Sequence, residues 1–222
     1  MKFYALVILL GIISLQPSLQ QSKNQLVVTL FYEPLCPFCR SYFTDHLYYT
    51  YLMLQKYIRL ELVPYGNVTK ELHNLEYTYK CQHGPNECLL SQFQACGLIR
   101  STDQRSQAEF IGCIESESKT AFNLKAFGAC GSILGLSGKE LMTCALGPEG
   151  LNLFGLHGEK QKLYITNLNQ IPWLVINYKQ VKLEKPEDTL KVLCQYLKNE
   201  PLACKEILLS SNSQNSIVMK QN

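Results

Sequence analysis

Cys36 and Cys39, separated by Pro37 and Phe38, form a Cys-x-x-Cys motif that could carry out thiol–disulfide exchange. The attacking species in that chemistry is a thiolate, and a second cysteine two residues away can reach back to the first sulfur. The positive end of a helix dipole and free backbone N–H groups would favour the thiolate. Pro37 suits the first position of such a helix because it has no N–H. The motif therefore predicts redox chemistry if it lies at the start of a helix.

The residues on both sides of the motif predict that position. An apolar run over 26–32 is typical of a buried strand, and a helical pattern follows over 37–56. One face of this helix carries Phe43, Leu47, Tyr51 and Leu54. A strand, a tight turn and a helix, with the cysteines at the turn, favour redox chemistry over a structural role.

Other interpretations of the motif stay open. A thiol oxidase or disulfide isomerase could share the fold, and a reduction potential would distinguish it from a reductase. A secreted binding protein whose ten cysteines are all structural would not reduce insulin. A zinc site would need two further ligands near the motif, and the four histidines, at 46, 73, 83 and 157, show no paired metal spacing. We therefore predict no metal site.

Composition excludes several classes of protein. The chain has 222 residues, of which 46% are hydrophobic, which is enough for the core of one domain with a large insertion or of two small domains. The net charge of +3 is weak and no Lys/Arg cluster concentrates it, so we expect no nucleic-acid partner. The sequence has neither the Gly-x-Ser-x-Gly motif of a serine hydrolase nor a glycine-rich phosphate loop.

The first residues predict entry into the secretory pathway. A basic start precedes an apolar run over 3–15, which is too short to span a bilayer and is typical of a signal peptide, placed at 1–20. No later stretch reaches the ~20 apolar residues that a membrane span needs. In an oxidising compartment, ten cysteines indicate a disulfide framework. The sequon at Asn67, Val68 and Thr69 predicts a glycosylated surface turn.

The chain then divides into three parts. Residues 25–66 predict a βαβ unit, in which a second strand over 57–66 lies parallel to the first. Residues 67–165 lose the strand pattern and predict a helical, cysteine-rich insertion. Residues 166–207 predict a hairpin and a closing helix, followed by a polar tail at 208–222.

The sequence of the insertion predicts four short helices. The last of them begins at a capping box formed by Ser137 and Glu140 and ends at Gly147. Short helices with glycines bury little core, so disulfides would tie the layer, each adding about 2–4 kcal/mol. Cys194 and Cys204 flank a turn and predict a local bridge, while the other pairings stay open. Eight cysteines are thus predicted to be structural: Cys81, Cys88, Cys96, Cys113, Cys130, Cys144, Cys194 and Cys204.

The order of elements is that of an α/β, thioredoxin-like fold with a disulfide-tied helical insertion. The predicted hairpin has strands at 171–177 and 180–183, joined by a turn at 178–179. In this fold a cis-proline precedes the third strand beside the Cys-x-x-Cys, which favours a cis bond between Ile171 and Pro172. Such a bond would let Ile171 pair with an extended substrate peptide. The alternative is a trans proline that opens a strand.

The stretch from Cys81 to Cys88, with Cys96 eight residues on, resembles the signature of the gamma-interferon-inducible lysosomal thiol reductases. It reads Cys-Gln-His-Gly-Pro-Asn-Glu-Cys, and the motif at 36–39, Cys-Ala-Leu-Gly at 144–147 with Gly150, and Ile-Pro-Trp at 171–173 are similar to further family landmarks in the same order. This chain has Ser91 where the signature usually has Asn. We expect that change to alter a local hydrogen bond rather than the redox centre.

The resemblance implies reduction of disulfides in protein substrates, in acidic endosomal or lysosomal compartments, with Cys36 and Cys39 as the catalytic pair. It also implies delivery to lysosomes, partly through glycans. The signature is not itself the redox centre in that family, so its cysteines would be structural. We expect His83 and Glu87 to hold their loop through hydrogen bonds, the alternative being that they bind substrate or tune the site.

The expected mechanism is a pair of thiol–disulfide exchanges, after which an external small thiol reduces the cysteine pair again, so no cofactor is expected. A thiol with a pKa of ~8.5 is only about one part in three thousand ionised at pH ~5. We therefore predict a lowered pKa for Cys36. We expect Glu33 to point to solvent or to hydrogen-bond the loop, because a carboxylate facing Cys36 would oppose ionisation. The oligomeric state stays open.

Overall fold

The computed structural model describes residues 25–73, 76–118, 122–183, 185–197 and 201–207. The predicted signal peptide and polar tail lie outside the described residues. The architecture is mixed α/β, with a four-stranded sheet and a separate two-stranded sheet. Within the described ranges, no helix is both long enough and apolar enough to cross a bilayer.

The first half is the predicted βαβ unit. Strand β1 (Leu26–Tyr32) lies parallel to β2 (Ile58–Pro64), with Leu26 opposite Ile58 and Tyr32 opposite Pro64. The connecting helix consists of α1 (Pro37–Ser41), a π-helical turn (Tyr42–Leu47) and α2 (Tyr48–Leu54). The predicted apolar face is buried, as the spacing indicated: Phe43, Leu47, Tyr51 and Leu54.

The insertion is not purely helical, and the expectation that strands are absent from 67–165 is wrong. It opens with an antiparallel hairpin of β3 (Val68–His73) and β4 (Glu76–Cys81). On one face of this hairpin Val68, Tyr79 and Cys81 pack with Phe154, whereas Leu72 and Tyr77 at its far end are exposed. The apolar residues of β4 alternate with polar ones, a signal that the sequence analysis missed, and β3 shows no such alternation.

The helices of the insertion follow as α3 (Pro85–Arg100), α4 (Gln104–Glu117), α5 (Leu124–Cys130), α6 (Gly138–Ala145) and α7 (Pro148–Tyr164). The capping box of Ser137 and Glu140 opens α6 and is confirmed. The prediction missed α7, because its glycines weaken the helical pattern. Gly158 permits close packing there, since a Cβ atom at this position would lie 2.5 Å from the Tyr65 ring.

The insertion buries more core than expected. Phe93, Phe110 and Phe127 are fully buried and share one apolar cluster with Leu30 of the central sheet. Glycine contributes to this packing rather than weakening it: a Cβ atom on Gly97 would lie 2.4 Å from the Phe110 ring. The insertion and the sheet therefore share one core, to which each buried aromatic side chain adds about 2–3 kcal/mol.

Disulfides join the eight cysteines that the sequence analysis took as structural. Three bridges lie within the insertion, Cys81–Cys88, Cys96–Cys144 and Cys113–Cys130. The fourth is the predicted local bridge, Cys194–Cys204. Cys36 and Cys39 are free thiols.

The second half completes the central sheet, whose strand order is β2-β1-β5-β6. Strand β5 (Trp173–Ile176) lies antiparallel to β1, and β6 (Lys179–Val181) lies antiparallel to β5. Their turn lies at Asn177 and Tyr178, one residue before the predicted position, with φ angles of 44° and 67°. A 3-10 turn (Pro186–Asp188) then leads into α8 (Thr189–Tyr196).

Candidate active site

Cys36 lies at the N-terminal cap of α1. Its backbone is extended, with φ −72° and ψ 119°, its carbonyl accepts from the Arg40 N–H at 3.1 Å, and Pro37 takes the first turn of the helix. The sulfur is therefore at the positive end of the helix. Cys36 is only 5% exposed. Contact with this residue requires a substrate that fits the surrounding surface.

The pKa of Cys36 is lowered to about 6. The largest cause is a hydrogen bond with the Cys39 side chain, and burial acts in the opposite direction. The backbone N–H groups of Cys39 and Phe38 lower the pKa further, as does the charge of His83. The direction is the one that thiolate chemistry in acid requires, and the neighbouring thiol is the largest single cause of the lowered pKa.

Cys39 has the opposite character. It is fully buried, and the backbone N–H of Glu33 donates to its Sγ at 3.4 Å. Burial is the largest cause that raises the pKa of Cys39 far above its ordinary value, and the hydrogen bond with Cys36 adds to it. One sulfur of the pair thus ionises readily while the other keeps its proton.

Glu33 is fully buried beside the two cysteines, so the expectation that it points to solvent is wrong. Its Oε1 accepts from the Asn67 N–H at 2.6 Å, which agrees with the other expectation, a hydrogen bond to a loop. Burial raises the pKa of Glu33 to about 7, the Asn67 hydrogen bond opposes this, and the charges of Glu87 and Cys36 raise it further. Glu33 therefore binds a proton just below neutral pH.

The signature stretch lies against the redox pair. His83 Nδ1 lies 2.6 Å from Glu87 Oε2 and 3.3 Å from Glu33 Oε2. Glu87 Oε1 also accepts from the His83 backbone N–H at 3.1 Å, so Glu87 holds the loop as expected. A ring nitrogen of His83 also lies within 4.8 Å of the Cys36 sulfur, a position compatible with the alternative that His83 tunes the site.

Cys36, Glu33 and His83 each offer a ligand atom, and these atoms lie within 4.8 Å of one another. A thiolate, a carboxylate and an imidazole are donors that Zn²⁺ accepts. The fold thus brings two further candidate ligands to the motif, although they are distant in sequence. This is the place in the described ranges that could hold a metal, and the absence of a metal and of a cofactor stays a prediction.

An apolar groove of about 250 Å³ includes Phe38 of the Cys-x-x-Cys motif in its lining. Tyr42 of the π-helical turn, Ile171 and Pro172 line it as well. The bond between Ile171 and Pro172 is cis, the geometry that the sequence analysis favoured. Phe38, between the two cysteines, is 77% exposed. An exposed aromatic ring beside an apolar groove is suited to contact a peptide.

A buried polar chain near the site was not predicted. The Tyr32 hydroxyl donates to Gln94 Oε1 at 2.7 Å, and Gln94 Nε2 donates to Glu115 Oε1 at 2.8 Å. Burial raises the pKa of Glu115 to about 8, against the opposing effect of the Gln94 hydrogen bond. The signal in the sequence was weak, because Gln and Glu in a helical pattern normally indicate the solvent face.

Ser91, the departure from the signature, is buried on α3. Its hydroxyl has no hydrogen-bond partner within the part of the chain that the structure describes. An unpaired buried hydroxyl costs about 1–3 kcal/mol. The expected change of hydrogen bonding relative to an Asn at this position stays a prediction.

Comparison with known proteins shows the family. The family model for the gamma interferon inducible lysosomal thiol reductase (GILT) matches residues 27–133. The gamma-interferon-inducible lysosomal thiol reductase of Carassius auratus is 30% identical over 196 residues, which cover 86% of this chain and 76% of that protein. The protein of the same name from Mus musculus is 29% identical over 170 residues, covering 76% of this chain and 66% of that protein.

Solved structures show the fold. The oxidoreductase DsbA from Xylella fastidiosa matches with a TM-score of 0.54 at 16% identity, covering 79% of this chain and 86% of that chain. BdbD from Bacillus subtilis matches with a TM-score of 0.58 at 12% identity, covering 80% and 88%. The predicted α/β, thioredoxin-like fold with a disulfide-tied insertion is thereby confirmed. The chain belongs to the gamma-interferon-inducible lysosomal thiol reductase family and is a thiol-disulfide oxidoreductase.

Proposed function

We propose that this protein reduces disulfide bonds in protein substrates through Cys36 and Cys39, in an acidic compartment. The observation that supports this mechanism most is the difference between the two sulfurs. Cys36 ionises with a pKa of about 6 at the start of a helix, whereas Cys39 is fully buried and keeps its proton. The first sulfur is suited to attack a disulfide and the second to resolve the product.

The reaction consists of two exchanges. The Cys36 thiolate attacks one sulfur of the substrate disulfide and bonds to it, and the other substrate sulfur leaves as a thiolate that takes up a proton. Cys39 then loses its proton and attacks the Cys36 sulfur, and the second substrate sulfur leaves and is protonated. Two electrons pass to the substrate, and the enzyme ends as a Cys36–Cys39 disulfide. An external small thiol reduces this disulfide, so the cycle needs no organic cofactor or metal.

The groove along Ile171 and Pro172 is the proposed binding site for the substrate chain. Its lining is mainly apolar, and it includes Phe38 from between the two cysteines. An extended segment next to the target disulfide would bury apolar side chains there, while its backbone pairs with residue 171. The preference would therefore be for unfolded or locally extended protein segments rather than for small disulfides.

Acid favours the reducing direction. Ionisation of Cys36 stabilises the reduced enzyme, so at neutral pH it opposes the donation of electrons. As the pH falls below the pKa of about 6, the reduced enzyme binds a proton on Cys36 and this stabilisation is lost. For a substrate with ordinary thiols, the equilibrium for reduction is then about tenfold more favourable at pH ~5 than at pH ~7.

The reduction of insulin at acid pH tests the proposed function. The protein reduced beforehand should cleave insulin disulfides, and Cys36→Ser should abolish the activity while leaving the fold intact. A redox-inactive binding protein would leave insulin unchanged. A reduction potential close to that of a strong thiol oxidase would contradict the proposed reductase and indicate an oxidase on the same fold.

We also propose delivery through the secretory pathway to lysosomes or the cell exterior, with a glycan on Asn67. Asn67 is exposed, and its Nδ2 lies 3.1 Å from Gln82 Oε1, a contact at the surface that a glycan can displace. The relatives from goldfish and mouse are named as lysosomal proteins. The glycan is tested by Asn67→Gln, which should lose the part of the mass that a glycosidase removes from the wild type. Delivery to lysosomes is tested by fractionation, in which the wild type should appear with lysosomal markers.

A further inference from the structure

His83 links the signature stretch to the nucleophile. Its Nδ1 contacts one carboxylate oxygen of Glu87 at 2.6 Å and one of Glu33 at 3.3 Å. Both carboxylate side chains are fully buried, whereas the His83 side chain is 31% exposed. A ring nitrogen of His83 also lies within 4.8 Å of the Cys36 sulfur. The imidazole is thus held between two acids and the sulfur that attacks.

The carboxylates near this sulfur act against its ionisation. Glu33 lies in the turn before α1 and Glu115 lies on α4. The negative charge of each carboxylate interacts unfavourably with a Cys36 thiolate. Glu87 on α3 repels both of them. Arg40 on α1 acts favourably on Glu115, and the Cys39 thiol hydrogen-bonds Cys36. His83 is the positive side chain that acts on the sulfur itself.

We propose that His83 is a positioning residue for the nucleophile: held by Glu33 and Glu87, its imidazole ring lies beside the Cys36 sulfur and stabilises the thiolate. The inference deepens the proposed function and rests on it for its biological meaning. A positive charge on this ring, of which one nitrogen lies within 4.8 Å of the sulfur, favours the thiolate over the thiol.

The pH dependence of Cys36 alkylation tests this. Iodoacetamide is applied to the reduced full chain between pH 4 and 9, and modification of Cys36 is followed by mass spectrometry. In His83→Ala the midpoint should rise by about one pH unit, which slows alkylation at pH ~5 about tenfold. His46→Ala, a change of a partly buried histidine in the π-helical turn, should leave the rate within about twofold.

A conservative variant separates charge from hydrogen bonding. His83→Gln keeps a donor for Glu87 and has no positive charge, so it should shift the midpoint as much as His83→Ala does. If His83→Gln matched the wild type, the ring would only hold the loop and the proposal would be wrong. Failure of both variants to fold, judged by near-UV circular dichroism, would likewise assign His83 a structural role and overturn it.

The same samples distinguish this inference from the proposed function. Insulin reduction by the wild type with an unmoved midpoint in both variants would retain the reductase and refute the role of His83. If the midpoint shifted in both variants but the wild type did not reduce insulin, the role of His83 would be retained and the reductase refuted.

Discussion

A Cβ atom on Gly66 would lie 2.1 Å from Cγ of Glu33, so the loop after β2 closes directly over the carboxylate beside the redox pair. Gly66 has a φ of +74°, its N–H donates to Gln161 Oε1 at 3.1 Å, and its carbonyl accepts from Gln161 Nε2 at 2.9 Å. Gln161 belongs to α7. The helix that the sequence analysis missed therefore fixes the loop that covers the site.

Gly66→Ala should destabilise the protein and disturb the site together. The positive φ costs about 1–2 kcal/mol for a residue with a Cβ, and the contact with buried Glu33 adds to it. We expect the free energy of unfolding to fall by about 2–4 kcal/mol in urea titrations. The midpoint of Cys36 alkylation should also move, since Glu33 must shift.

Gly135→Ala is the matched control for this prediction. Gly135 is left-handed helical, with φ 70° and ψ 21°, and a Cβ atom there would have nothing within 4 Å. The substitution should lower the free energy of unfolding only by the cost of a positive φ, about 1–2 kcal/mol. Equal losses in the two variants would contradict a tight contact between Gly66 and Glu33.

The redox equilibrium should depend on pH between 5 and 7. Because Cys36 ionises with a pKa of about 6, the ratio of oxidised to reduced enzyme, measured against a dithiol of ordinary pKa, should be about tenfold higher at pH ~5 than at pH ~7. Acid quenching and mass spectrometry give this ratio. A constant ratio over that range would show that Cys36 does not ionise near pH ~6.

The contributions of Glu115 and Glu33 to stability should fall as the pH rises from about 4.5 to about 8, because both carboxyl groups have raised pKa values in the folded state. At these two groups the folded protein binds more protons than the unfolded chain, so each contribution is fully present below the unfolded pKa and lost as the pH passes the folded one, whereas the lowered pKa values of Cys36 and His157 act in the opposite direction. Glu115→Gln should therefore make the slope of the free energy of unfolding against pH less negative, and the variant should be more stable than the wild type at pH ~8.

The control for Glu115 is Glu117→Gln, two residues further along the same helix and exposed. It should leave the slope of unfolding free energy against pH unchanged. The same change of slope in Glu117→Gln, or a wild-type slope in Glu115→Gln, would refute the assignment of the pH dependence to the buried carboxyl.

Two disulfides should differ in what their removal changes. Replacing the cysteines of Cys81–Cys88, seven residues apart, or of Cys113–Cys130, 17 apart, should cost about 2.5 and about 3 kcal/mol of stability in urea titrations. Only the first bridge closes the turn that carries His83. Its loss should raise the midpoint of Cys36 alkylation, whereas loss of the second should leave it in place. If the alkylation midpoint shifted in both variants, or in neither, the claim that the Cys81–Cys88 bridge specifically positions His83 would be contradicted.

The sequence predicted the parts of the fold whose signals are local. The strand, turn and helix around Cys36 followed from an apolar run and a helical spacing, and the start of α6 followed from a capping box at Ser137. The closing bridge at Cys194 and Cys204 followed from a short separation. Each of these features is set by residues within about ten positions of one another.

Features that depend on tertiary packing were missed. The β3–β4 hairpin buries only part of one face against distant side chains such as Phe154, and α7 contains glycines whose role depends on contacts with distant side chains such as Tyr65. The burial of Glu33 depends on the loop at Gly66, and the position of His83 depends on the turn at Cys81. The position of the two free cysteines was therefore predictable from the sequence, whereas the charged groups that surround them were not.

Trapping of the mixed disulfide tests the central claim most directly, because it shows which sulfur attacks. Reduced Cys39→Ser protein is incubated with a disulfide-bonded peptide at pH ~5, and the adduct is located by mass spectrometry. The mechanism predicts a stable adduct on Cys36, and none in Cys36→Ser. An adduct on Cys39 in Cys36→Ser, or no adduct on Cys36 in Cys39→Ser, would contradict it.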